Sequence, residues 1–257
     1  MSKRNIQQRR HQIVQWVNQQ GEISVEQLAQ QCDTSEVTIR KDLSALETAG
    51  LLLRRFGGAL ALPQEVLAHE SASHTSLYKQ AIGLAAASLI RDYQRIVIDC
   101  GRTTAAMVPE LQKNQGLVVM TNSLAGAEAL RMLEPEPTIL MTGGTWDPHS
   151  GSFQGQVAEQ VLRSYDFDQL FIGADGIDVA RGTTTFNELV GLSQVMAQVA
   201  REVNVLVESD KIGRKIPNLE LPWAQISRVI TDHRLSSAFR QQIESQGVTV
   251  ICAPKLA

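Results

Sequence analysis

The chain has no apolar run long enough to span a membrane, and Met1-Ser2-Lys3-Arg4 leads into a polar stretch instead of an apolar signal core. Cytoplasm is therefore the expected location. Cysteine is scarce: only Cys32, Cys100 and Cys252 occur, odd in number and far apart. That excludes a disulfide framework and offers no metal-ligand spacing, so free thiols, no metal and no cofactor are expected. His69 and His74 have no nearby cysteine or acid pair to make a ligand set, and they read as plain loop residues. Net charge is also small, at -3 over 257 residues. An apolar fraction of 43% and a charged fraction of 20% are those of an ordinary globular protein. A chain of this length divides into a smaller and a larger domain.

The weak overall charge conceals an asymmetry. Residues 1–58 hold eight Lys/Arg against six Asp/Glu, a net of +2, which leaves -5 for the remainder. The basic residues fall in four groups: Lys3-Arg4, Arg9-Arg10, Arg40-Lys41 and Arg54-Arg55. Such groups suit a polyanionic partner. Over residues 5–20, Ile6, Ile13, Trp16 and Val17 recur at largely helical spacing, and Gly21 ends that helix. Ser24, with Gln27 three residues on, is a capping-box pattern for a short second helix that stops near Cys32-Asp33. Thr34 or Ser35 caps a third helix running to Ala49, closed by Gly50. Ile39, Leu43 and Leu46 form its inner stripe, and Ser35, Glu36, Thr38 and Lys41 its outer face. This is the layout of a helix-turn-helix that reads double-stranded DNA. Leu51 to Leu60 reads as two short strands around Gly57-Gly58, with Arg54 and Arg55 at the tip of a wing.

Residues 61–78 lose periodicity and read as a linker. Beyond them, helical segments alternate with apolar runs at Arg95–Cys100, Leu117–Met120, Thr138–Met141, Gln169–Ala174, Val203–Val207, Val229–Thr231 and Val248–Cys252. That alternation predicts a mostly parallel sheet covered by helices, an α/β domain over residues 79–257 beside a DNA-binding domain over 1–60. In such sheets ligands bind beyond the carboxyl ends of the strands. The residues standing there are Asp99, Gly101, Arg102, Thr103 and Thr104; Thr121, Asn122 and Ser123; Gly143, Gly144 and Thr145; Asp175 and Asp178; and Glu208 to Lys211. Glycines permit close backbone approach, hydroxyls and helix starts hold phosphate, and Lys211 supplies countercharge. Asn and Asp suit sugar hydroxyls.

Several stretches resemble the DeoR family of bacterial sugar-metabolism regulators: "SEVTIRKDLSALETAGLLLRRFGGA" in the first domain, then "MTNSL", "LMTGGT", "SFQGQVAEQ", "FDQLFIGADGID", "GTTTFNE" and "SDKIGRK" in the second. The likeness is greatest to the branch that senses hexitol or amino-sugar phosphates. It implies a repressor of a carbohydrate operon, induced by a phosphorylated sugar or sugar alcohol, forming dimers or tetramers. It also implies a sensor domain related in fold to sugar-phosphate isomerases and deaminases. Carried over by position, Ser35, Thr38, Arg40, Lys41, Arg54 and Arg55 would contact DNA, and Asp42 would hold a basic neighbour. The effector-binding set would be Lys79, Asp99, Gly101, Arg102, Thr103, Thr104, Thr121, Asn122, Gly143, Gly144, Ser152, Asp175, Glu188 and Lys211.

Two loops depart from the family pattern: Gly101-Arg102-Thr103-Thr104 gains a cation, and Glu208-Ser209-Asp210-Lys211 an acid. Arg102 could pair with Asp210, bind a phosphate or carboxylate directly, or point to solvent. The competing function is a sugar-phosphate isomerase or deaminase with an appended DNA-binding domain, its acid and base drawn from Asp99, Asp175, Asp178 and Glu188. Against it, the segment 175–178 reads equally as a turn whose carboxylates accept backbone N–H groups, and no histidine stands in any strand-end set. His149, after the Gly143-Gly144 loop, reads as exposed loop. A pure protein-interaction module is disfavoured because the strand-end residues are polar and convergent. The apolar segment Leu189–Met196 suits burial against the sheet better than an interface.

Overall fold

The computed structural model describes residues 3–48, 52–55, 57–60, 75–148, 150–185, 190–214, 216 and 218–256. The chain forms two compact units, residues 1–73 and 74–257. His69, His74, His149, Glu188 and most of the expected linker (61–74) lie outside the described residues.

In the first unit, α1 (Lys3–Gln20) is followed by β1 (Glu22–Ser24), α2 (Val25–Gln31) and α3 (Glu36–Thr48), then by β2 (Leu53–Arg55) and β3 (Gly58–Leu60). The capping box at Ser24 forms as the sequence suggests: Ser24 Oγ accepts from Gln27 N at 3.1 Å, and Gln27 Oε1 accepts from Ser24 N at 2.9 Å. Ser35 caps α3, its Oγ accepting from Thr38 N at 3.3 Å. Ile13, Val17, Ile23, Leu28, Ile39, Leu43, Leu46, Leu52 and Ala59 close one core beneath the helices. The wing is three-stranded, ordered β1-β3-β2, because Glu22–Ser24 adds a strand to the two that the sequence predicts. Its packing depends on Gly58, where a Cβ would lie 2.6 Å from the carbonyl oxygen of Ile23. Gly58→Ala is expected to destabilise this unit by about 1–3 kcal/mol, read as a lower urea midpoint for the first unit alone.

The second unit opens with α4 (Leu77–Ala87), capped by Ser76, so the last two residues of the expected linker are helical. Next come β4 (Arg95–Ile98), α5 (Arg102–Ala105), a 3-10 turn (Val108–Lys113), β5 (Val118–Thr121), α6 (Leu124–Arg131) and β6 (Thr138–Met141). A hairpin of β7 (Thr145–Asp147) and β8 (Ser152–Gln154) leads into α7 (Gln156–Leu162) and β9 (Phe167–Gly173). β10 (Gly176–Asp178), β11 (Gly182–Thr185), α8 (Gly191–Gln198), β12 (Ala200–Leu206), β13 (Asn218–Pro222), β14 (Arg228–Asp232), α9 (Ser237–Glu244) and β15 (Thr249–Ala253) complete it.

All seven apolar runs become strands of one sheet, ordered β15-β14-β12-β9-β4-β5-β6, and every pairing in it is parallel. Side chains alternate faces along a strand. Val97, Leu170, Val205 and Val229 therefore join one core with α7 and α8, while Ile96, Phe171, Leu206 and Ile230 join another with α4 and the 3-10 turn. Leu192, Val195 and Met196 are buried in the first of these cores, as expected for that apolar segment. A small antiparallel sheet, β10-β11-β13, is an addition: its strands lack the continuous apolar runs that mark the others.

Strand order locates a crevice. From β4 the chain builds outward through β5 and β6, whereas from β9 it builds the opposite way through β12, β14 and β15. The reversal falls between β4 and β9, and that switch point leaves a crevice beyond their carboxyl ends.

Candidate functional site

Asp99 follows β4 and Asp175 follows β9, so the two carboxylates flank the switch point. Asn122, after β5, clamps the first loop: its Nδ2 donates to Asp99 Oδ1 at 2.8 Å and its Oδ1 accepts from Cys100 N at 2.9 Å. Thr104 is fully buried, and its hydroxyl has the carbonyls of Asp99 and Gly101 at 2.8 and 2.9 Å. Thr121 Oγ1 accepts from Ser123 N at 3.1 Å. Buried Ser152 shares hydrogen bonds with Ser150 and Gln154. These hydroxyls hydrogen-bond within the loops and shape them. Gly101 has φ +145°, which lets the loop turn into α5. Gly144 packs against Gln154, whereas Gly143 faces open space.

Cations sit around this crevice. Lys211 Nζ donates to the Ala174 carbonyl at the end of β9, at 3.4 Å. Lys79, in the first turn of α4, is half-buried against Glu208, with Nζ 3.1 Å from Oε2; Ser76 Oγ donates to the other carboxylate oxygen at 3.0 Å. Arg102 is exposed, while Asp210, one of its suggested partners, is ion-paired with Arg214 at 3.7 Å. Asp178 serves the turn: it accepts from Ala180 N at 3.0 Å and from Arg181 Nε at 2.8 Å. That binding spends the carboxylate locally and weighs against the acid-base role considered for it. Asp175 accepts from Thr185 Oγ1 at 2.7 Å.

One residue of this site escaped the sequence reading. Glu220, on β13, accepts from Ser193 Oγ at 2.8 Å and senses the charges of both Asp99 and Asp175. Burial pushes its carboxyl up to about 8, with repulsion from the two aspartates adding to the shift and the Ser193 and Thr183 hydroxyls opposing it. Burial likewise raises Asp99 to about 6, against the hydrogen bond from Asn122. Burial keeps the Cys100 thiol protonated. The three cysteines are free, and among the described residues no cluster of three His, Cys, Asp or Glu could hold a metal.

A raised carboxyl value means that the folded state holds its proton more tightly than the unfolded chain. The contribution of Glu220 to stability is therefore greatest below about pH 4, near the unfolded value, and drains away as pH rises toward about 8. Glu220→Gln is expected to raise the unfolding midpoint at pH 8 and flatten its decline between pH 5 and 8. An unchanged pH profile, measured by thermal unfolding at matched ionic strength, would show that Glu220 ionises normally.

In the first unit, Thr38, Arg40 and Lys41 of the residues expected to contact DNA lie on α3, Ser35 caps it, and Arg54 and Arg55 lie in β2. Arg40 pairs with Glu36 at 2.6 Å, with both side chains about half exposed, and Lys41 is exposed. Ser35 and Thr38 share a hydrogen bond at 2.9 Å. Arg54 lies 3.5 Å from Glu47, and Arg55 is in β2. Asp42 is buried and anchors α1 to α3, accepting from Arg9 Nε at 2.6 Å and Arg10 Nε at 2.8 Å. Two arginines that suit a polyanionic partner in the sequence are thus tied to buried Asp42.

A winged helix-turn-helix carried on one chain with a doubly wound sheet, polar at its switch point, defines a DNA-binding protein with a ligand-sensing domain. Residues 9–65 match the DeoR-like helix-turn-helix domain and residues 75–233 the DeoR C terminal sensor domain, and the chain belongs to the DeoR family of transcriptional regulators. A relative from Escherichia coli O157:H7, named for repression of the aga operon, is 36% identical over 95% of this chain and 93% of its own. The HTH-type transcriptional regulator GlpR of Haloferax volcanii is 31% identical over 95% and 96%. The lactose phosphotransferase system repressor of Lactococcus lactis is 31% identical over 97% and 99%. Among solved structures, ribose 5-phosphate isomerase A from Methanocaldococcus jannaschii overlaps 52% of this chain and 53% of its own, with a TM-score of 0.38 and 19% identity. Among the described residues no helix is long and apolar enough to cross a membrane.

Proposed function

We propose that the protein is a cytoplasmic repressor of a carbohydrate-utilisation operon, released from double-stranded operator DNA by a phosphorylated sugar or sugar alcohol. The observation that carries the effector half is the convergence of Asp99, Asn122, Asp175 and Lys211 on the β4–β9 switch point. Carboxylates and amide suit sugar hydroxyls, while Lys211 and the Gly101–Thr104 turn suit phosphate. Sites of this kind hold a ligand in a concave, mostly preformed crevice. Lys79 joins the phosphate by leaving or sharing Glu208, Arg102 reaches in from the exposed loop, and Gly143 offers close backbone approach. Ser35, Thr38, Arg40, Lys41, Arg54 and Arg55 meet DNA, the Arg40–Glu36 pair being exposed enough to exchange for a phosphate at little cost. A homo-oligomer supplies paired heads for paired half-sites. The effector weakens DNA binding because it binds the DNA-free form more tightly.

A second reading, isomerisation of a sugar phosphate, draws on the raised carboxyls of Asp99 and Glu220, since enzymes tune acids and bases in this way. One experiment separates the two. The purified chain is incubated with a panel of hexose, amino-sugar and hexitol phosphates, following both its unfolding midpoint and the fate of the compound. Sensing raises the midpoint for at least one compound and leaves that compound intact. Multiple turnovers of product would establish the enzyme instead.

A further inference from the structure

The recognition helix α3 turns an apolar side chain, not a polar one, to the centre of its outer face. Ile39, Leu43 and Leu46 define its buried stripe. At 3.6 residues per turn, the position diametrically opposite that stripe is Val37, in line with Lys41 and Ser44. Val37 is 59% exposed, the largest exposure of any apolar side chain on the helix. The polar groups beside it are already engaged with one another: Ser35 with Thr38 at 2.9 Å, and Glu36 with Arg40 at 2.6 Å. Thr38, expected on the outer face, is half-buried at its margin.

The chemistry available to Val37 is narrow. In the major groove the thymine C5-methyl is the one apolar group on the base edges. A β-branched side chain in a helix holds essentially one χ1 rotamer, so its two methyls are presented rigidly and little entropy is lost on contact. Lys41, one turn on along the same face, is exposed and offers a cation for the DNA backbone. We infer that Val37 is a specificity-determining residue that reads a thymine methyl in each half-site. The inference rests on α3 being the DNA-reading helix and adds the base it discriminates.

The test begins with selection of duplexes from a random pool by the full-length protein. Each thymine of the selected sequence is then replaced singly by deoxyuridine, which removes only the C5-methyl. The expected result is one thymine per half-site whose replacement weakens wild-type binding about fourfold, the loss for one buried methyl. Val37→Ala should bind uracil and thymine equally there, with an unchanged dependence on salt and an unchanged unfolding midpoint. Indifference of the wild type to every uracil, or a Val37→Ala variant that still prefers thymine, would overturn the inference while leaving DNA binding intact. Failure of the pool to yield any enriched duplex would overturn DNA reading by α3, and this inference with it.

Discussion

Asp42→Ala is expected to unfold the DNA-binding unit and abolish duplex binding while the sensor unit stays folded. Asp42 is 2% exposed and accepts from two guanidinium groups; of these, Arg9 has only 11% of its side chain exposed. Deleting the carboxylate leaves a largely buried arginine without its counter-ion. Breaking such a pair costs about 3–5 kcal/mol. A unit of this size has little more than that in reserve, because small domains bury a smaller fraction of their surface. The loss would appear in thermal unfolding as an early transition, and in duplex titrations as a collapse of affinity. Asp42→Asn retains an acceptor and should fall between the two. Replacing Arg9, Arg10 and Asp42 together by apolar residues of similar volume should restore much of the midpoint, since the buried charges are then removed as a set. An Asp42→Ala protein that melts like wild type would show that the two arginines are solvated and the bridge carries no stability.

Lys211→Ala should leave the fold and the DNA affinity unchanged and remove the response to effector. Its bond to the Ala174 carbonyl, at the rim of the crevice, is long at 3.4 Å and contributes little to stability. A hydrogen bond from an ammonium to a phosphate is worth about 1.5–3 kcal/mol, so effector affinity should fall between about tenfold and a hundredfold. Calorimetric titration with whichever phosphorylated sugar raises the wild-type midpoint measures this directly. Wild-type affinity in the variant would place the phosphate elsewhere.

How far the sequence foretold these features depended on the signal each one carries. Seven apolar runs are a strong local signal, and each became a strand of the parallel sheet, with boundaries displaced by up to three residues. The capping box at Ser24 was also legible, because it lies within a short motif; the structural part of Asp42 was implied by the family resemblance, but not its partners Arg9 and Arg10, 33 and 32 positions away. The β10-β11-β13 sheet was not, since Gly182-Thr183-Thr184-Thr185 has no apolar run or alternation. Glu220 was missed for a related reason. It stands in β13, 121 positions after Asp99 in the sequence, and only the folding of that small sheet brings it to the aspartates. Polarity does not single out Val37, whose exposure depends on which stripe of α3 packs inward. Several strand-end hydroxyls, Thr104 and Thr121 among them, hydrogen-bond within their own loops, which their residue type did not reveal. Residue type alone does not distinguish a ligand's partner from a loop's own support.

The most direct measurement is fluorescence anisotropy of a labelled duplex, selected by the protein itself, titrated with the full-length chain in the presence and absence of each phosphorylated sugar or sugar alcohol. The expected result is tight binding that one such compound weakens at least tenfold, reversibly and without its consumption, while the unphosphorylated parent compound has no effect. Binding that no phosphorylated sugar alters, or a compound that is converted as the complex dissociates, would contradict a phosphosugar-released repressor.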